Sequence, residues 1–166
     1  MATNNCINKS SGAMASTLVT ATGITLDSGS NTLSNYLTFD TYTPVVSFAG
    51  GTTGLTATVS GGYSRIGNLI FFECGFYFTA KGSSTGALRI TLPTTAAANP
   101  IGGMGGFACY PAYIDTNQNW ISGFLNASTD YLEFYTSDTS GGGWVKVTNA
   151  HCADNSRIYV SGFYWV

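Results

Sequence analysis

At 166 residues the chain has room for one domain with an appendage, and it is long enough to bury a core of ordinary thickness. Charged residues are only 8% of it, against about a quarter in a typical domain, so its surface is polar through Gly, Ser, Thr and Asn. The net charge of -2 supplies no field to gather nucleic acid or an anionic membrane, and no apolar run approaches the ~18 residues of a bilayer span, so neither nucleic-acid binding nor membrane insertion is expected.

The opening MATNNCINKSSGAMAS is polar, so no secretion signal of the chain's own is expected. The segment that follows has short apolar pairs separated by Gly, Ser, Asn and Asp, which bury little alone. Tyr36 and Phe39 are the two aromatics of the first forty residues, and twenty-one lie beyond them. These contrasts predict an extended N-terminal arm or stem over 1–43, leaning on a partner, and a globular part over 44–166.

No stretch keeps the helical i, i+3, i+4, i+7 spacing, while Gly, Thr and Val dominate, which argues for an all-β protein. Strands are expected around 24–26, 44–48, 55–59, 63–80, 87–92, 106–114, 120–126, 130–136, 144–148 and 157–166, between turn-forming clusters. That spacing predicts a β-sandwich or jelly roll. Within 63–80, Ile70, Phe72, Cys74, Phe76, Phe78 and Ala80 share one parity and form the expected core face. Leu88, Ile90 and Leu92 repeat the alternation, so KGSSTG between the two segments reads as a hairpin turn. The opposite parity carries Leu69, Phe71 and Tyr77, and the final RIYVSGFYWV likewise has Phe163 and Trp165 opposite its core residues. A strand apolar on both faces is central in a large core or lies at a subunit interface, so these five residues are candidate oligomer contacts.

The stretch CYPAYIDTNQNW is the candidate binding site, because Tyr110, Tyr113 and Trp120 frame Asp115, Asn117 and Gln118. Sugar rings pack a C–H face on aromatic planes while amides and carboxylates satisfy the hydroxyls. Trp144, after a Gly-rich loop, is placed to join them. The alternative is that the aromatics fill a core or interface and DTNQN is a turn.

Glu73 and Glu133 are both at outward parity and could meet on one sheet face as a glycosidase pair; the alternative is solvated carboxylates or ion pairs with Arg65 or Arg89. His151 and Cys152 are sequence neighbours on an extended segment and point apart, so no dyad is expected. Cys109, His151, Cys152 and Asp154 lack zinc-site spacing, and IGGMGGF lacks the Lys-Ser/Thr of a phosphate loop, so no metal, no cofactor and no catalytic residue are assigned. Cys6, Cys74, Cys109 and Cys152 read as free thiols, with Cys74 in the core.

The blocks GITLDSGSNTLSNY, TYTPVVSF, the G-x-Y-x-R-I-G-N of Gly61 to Asn68 with the alternating strand after it, and the final IYVSGFYWV together resemble bacteriophage tail-fibre and tailspike-like virion surface proteins. The resemblance implies an all-β homotrimer on the virion surface, assembled with other virion proteins in the host cytoplasm, whose tip binds a host-cell glycan or protein; with no catalytic pair assigned, a non-enzymatic module contacting host-surface glycan is the leading expectation. Fibre proteins are usually longer, with an upstream attachment region, so a fragment or a short independent protein is implied. A capsid head-decoration protein and, more remotely, a polysaccharide-degrading tailspike are the alternatives.

Overall fold

Alternation of β-branched and aromatic residues with small polar ones produces twelve strands in the structure, a computed structural model that describes residues 24–26, 31–33, 37–98, 106–114, 120–137 and 143–166. Two compact units divide it, Met1–Ser34 and Asn35–Val166. In the first, β1 (Ile24–Leu26) and β2 (Asn31–Leu33) form an antiparallel hairpin. Most of the expected arm lies outside the described residues. The larger unit begins earlier than the expected 44, because β3 (Leu37–Tyr42) is laddered into its sheet through Tyr42 opposite Gly61.

Two antiparallel sheets make the larger unit. The first has the order β3, β5 (Leu55–Ile66), β6 (Leu69–Lys81), β12 (Cys152–Trp165), β8 (Gly106–Ile114). In the second, β10 (Tyr131–Ser137) carries β9 (Ser122–Leu125) on one edge, and β7 (Leu88–Thr91) and β11 (Trp144–Lys146) on the other, with β4 (Val46–Phe48) beyond β7. A short 3-10 turn, Asn149–His151, precedes β12.

Two expected features take a different form. The continuous strand 63–80 is broken into β5 and β6 at Gly67, whose φ of +58° belongs to the left-handed region, and Gly67-Asn68 closes a two-residue hairpin between paired Ile66 and Leu69. The greasy residues on either side conceal this turn in the sequence. KGSSTG, in turn, is no hairpin: β5 and β12 already occupy both edges of β6, so β7 pairs with β4 and β10 instead, and the chain crosses from one sheet to the other. Gly82 (φ +68°) and Gly86 (φ +105°) redirect it, and Ser84 Oγ accepts from Thr53 N at 2.8 Å.

Between the sheets the parity of β6 holds. Ile70, Phe72, Cys74, Phe76 and Phe78 are buried, although Ala80 at the strand end is only partly covered. They meet Phe48, Leu88, Ile90, Leu132 and Phe134 of the second sheet, with Phe48 and Phe78 ring centroids 5.9 Å apart. From β12 come Ile158, Val160 and Tyr164. The Tyr164 hydroxyl donates to the Thr94 carbonyl at 2.9 Å, which satisfies its polar end inside the core.

Candidate functional site

Alternation along YLEFYTS sends Leu132, Phe134 and Thr136 inward and leaves Tyr131, Glu133 and Tyr135 on the outer face of the second sheet. Cross-strand register places Arg89 and Phe124 on either side of Glu133, and Ser122 and Lys146 on either side of Tyr135. The result is a charged centre ringed by aromatic side chains.

Glu133 is only 2% exposed, although it faces away from the core. Its Oε1 accepts from Arg89 Nη2 at 2.7 Å and Nε at 2.9 Å, and its Oε2 accepts from Lys146 Nζ at 2.9 Å and the Tyr135 hydroxyl at 3.1 Å. Burial by itself would raise the carboxyl, but hydrogen bonds from Lys146, Arg89 and Tyr135 outweigh it and hold Glu133 below the usual carboxylate range. The Arg89 guanidinium lies 4.1 Å from the Tyr131 ring centroid. Burial and the neighbouring carboxylate push the Tyr135 hydroxyl up, and the Lys146 ammonium is raised by its bond to Glu133.

Around this centre Trp120 and Trp144 meet edge to face, 6.4 Å apart at 80°; Trp144 touches Tyr135 at 6.4 Å, and Tyr135 touches Phe124 at 5.8 Å. Trp144 is 65% exposed, and Trp120 and Phe124 are also open to solvent. Such a corner offers two aromatic planes at right angles, with the half-exposed Lys146 ammonium beside them as a hydrogen-bond donor.

The expected site residues therefore divide. Trp120 and Trp144 come together on the second sheet, whereas Tyr110 lies on the outer face of the first, opposite Tyr159. Tyr113 sits in the β8–β12 bulge with φ +56°; the Ser156 hydroxyl donates to its carbonyl, and the Arg157 guanidinium lies 5.5 Å from its ring. Asp115, Asn117 and Gln118 lie outside the described residues. Phe124, Tyr135 and Lys146 were missed, although the outward parity of YLEFYTS pointed to Tyr135.

The carboxylate pair allowed by parity does not form. Glu73 is on the outer face of the first sheet and Glu133 on that of the second, with the core between them, and Glu133 takes the Arg89 pairing instead. His151 Nδ1 accepts from Thr148 N at 3.0 Å, while Cys152 enters β12 buried. Burial raises the Cys74 and Cys109 thiols to about 11 and the Cys152 thiol to about 12; all three are free, and Cys6 lies outside the described residues.

The expected interface residues share one surface. Leu69 opposes Trp165 and Phe71 opposes Phe163 across β6 and β12, with Tyr77 opposite Arg157 farther along. Phe71, Tyr77, Phe163 and Trp165 are exposed, and Leu69 is partly covered. Phe39, Tyr110 and Tyr159 extend the same aromatic face across the sheet.

No protein-family model matches this chain, and no curated protein does. Among solved structures, the crystal structure of the Dettilon tailspike protein is similar to it, with a TM-score of 0.63 at 20% identity. The alignment covers 76% of this chain and 23% of that one, so the chain spans less than a quarter of the other's length. What the two share is a fold.

Proposed function

We propose that this chain is a non-enzymatic bacteriophage virion surface protein, a receptor-binding module of a tail fibre or spike that contacts host-surface glycan. The observation that carries the reading is the right-angled Trp120–Trp144 pair, open to solvent and beside Lys146. Sugar rings stack on such planes, and an ammonium with free N–H groups donates to their hydroxyls or carboxylates. The likeness of fold to a tailspike supports the virion setting, and a polar, weakly charged composition suits a particle exposed outside the cell. Glu133 serves as a structural anion in this reading, since its four hydrogen bonds and depressed pKa leave it ill-suited to donate a proton.

The assembly in this proposal is a homotrimer, held through the Leu69, Phe71, Phe163 and Trp165 end of the first sheet. The test is glycan binding to host cells or their isolated surface polysaccharide. Trp120→Ala and Trp144→Ala should each weaken binding about tenfold or more while the circular dichroism spectrum and thermal midpoint hold. Undiminished binding by both folded variants overturns the site. Electron microscopy of the particle with labelled chain distinguishes tail from capsid, and release of oligosaccharide from the polymer overturns the non-enzymatic reading.

A further inference from the structure

The outer face of the first sheet contains a trough that the Trp120 site does not use. One cross-strand row crosses four strands as Gly62, Glu73, Ser161 and Ala108, three small residues around a single carboxylate. The next row carries larger groups, with Tyr159 opposite Tyr110, and Phe39 closes the β3 end. A cavity of about 710 Å³, lined by Phe39, Gly62, Glu73 and Ser161 among others, occupies the space. The low floor depends on glycine: a Cβ on Gly62 would stand 2.5 Å from the Phe39 ring, and one on Gly75 would stand 2.6 Å from the Tyr159 ring. The volume falls in the range of small-ligand sites, roughly 300–1,000 Å³.

Charge identifies what would fit. Glu73 is exposed, and no hydrogen bond or ion pair engages it among the described residues. Among the described residues, Lys81 is engaged by the carbonyls of Asn149 and Cys152 and Arg65 by the carbonyl of Gly67, while Arg89 and Lys146 belong to the other sheet and pair with Glu133. Arg157, the nearest along the ladder, is opposite Tyr77 beyond Tyr159 and lies against the Tyr113 ring. Among the described residues, no cation lines the trough. An unneutralised carboxylate between aromatic walls, with the Ser60 and Ser161 hydroxyls beside it, complements a ligand that is cationic at one point, C–H-faced and hydroxylated elsewhere.

We infer that this trough binds a saccharide bearing a free amino group, its ammonium on Glu73 and its ring faces against Tyr110 and Tyr159. The site is separate from the Trp120 corner, on the opposite side of the sandwich, and stands or falls independently of it. A bare quaternary ammonium shares the cationic chemistry but lacks the N–H donors and ring hydroxyls that the carboxylate and serines would engage.

The full chain, in whatever oligomer it forms, should be titrated with the β-1,4-linked glucosamine disaccharide, its N,N'-diacetyl counterpart and choline, with chemical shift and calorimetry as readouts. Binding of the free-amine sugar is expected, about tenfold or more tighter than either of the others. Glu73→Gln should abolish that preference and Tyr110→Ala should weaken binding of the free-amine sugar; thermal unfolding checks that each variant is folded. Equal affinity for the acetylated sugar, or for choline, overturns the assignment. So does an unaltered preference in Glu73→Gln, or the absence of any binding, the result expected if a second copy of the chain covers the trough.

Discussion

Arg89 faces Glu133 across the β7–β10 ladder with Nη2 2.7 Å from Oε1, on the outer side of a sheet where a carboxylate would ordinarily be hydrated. The carboxylate is instead buried, with its oxygens satisfied by Arg89, Lys146 and Tyr135. Because the folded protein binds the Glu133 proton only at lower pH than the unfolded chain does, the group adds stability at and above the unfolded carboxyl value of about 4.3. That contribution fades as pH falls through the lower folded value. Urea midpoints measured down from pH 6 should therefore decline on the acid side. Glu133→Gln should flatten that decline and lower stability at pH 7 by about 1–3 kcal/mol, through loss of charge-assisted hydrogen bonds.

Phe71 and Phe163, 6.2 Å apart, test the assembly. Both are about two-fifths exposed in the single chain, so replacing them removes little from its own core. Under the proposed assembly the parent chain should sediment as a trimer and the double variant Phe71→Ser, Phe163→Ser as a monomer, with the circular dichroism spectrum unchanged. A parent chain that is monomeric at micromolar concentration contradicts the proposed trimer.

Two glycines with similar backbone angles should behave differently. Gly67 has open space where a Cβ would stand, so Gly67→Ala meets only the left-handed penalty of about 1–2 kcal/mol. At Gly82 the same φ region is combined with a Cβ position on top of the Thr53 carbonyl. Gly82→Ala should be the more damaging of the two, read as the larger fall in thermal midpoint.

Raised thiol pKa values make the described cysteines slow nucleophiles. At pH 8 a thiol titrating near 11 is about one part in a thousand thiolate. Iodoacetamide at that pH should leave Cys74, Cys109 and Cys152 unmodified in the folded chain and alkylate them in urea, as mass spectrometry of the peptides would record.

Legibility in the sequence followed the strength of alternation. Ile70 to Phe78 and Ile158 to Val160 each bury one parity, and period two alone identified them. The sheet to which a strand belongs was less accessible, because KGSSTG is compatible with a hairpin and with a crossover, and only the occupied edges of β6 decide between them. Gly67-Asn68 was hidden for the opposite reason: Ile66, Leu69 and Ile70 supply apolar residues on both sides of a turn that interrupts neither composition nor length. Of the site, Trp120 and Trp144 were visible as exposed-type aromatics near loops, but their meeting with Tyr135 and Lys146 depends on β10 carrying β9 on one edge and β11 on the other. No local pattern encodes that three-strand register.

The place of β12 between β6 and β8 has a consequence for synthesis on the ribosome. Strands β5 and β6 emerge early and can pair at once, yet the free edge of β6 must wait for Cys152–Trp165, and Tyr164 reaches Ile70 only then. During that interval a nascent chain displays an unpaired, strongly aromatic strand edge, the surface on which neighbouring polysomal copies would stick. Slow elongation beyond residue 81, or a shortage of holdase chaperone, should therefore reduce the yield of soluble protein without altering the stability of the molecules that finish.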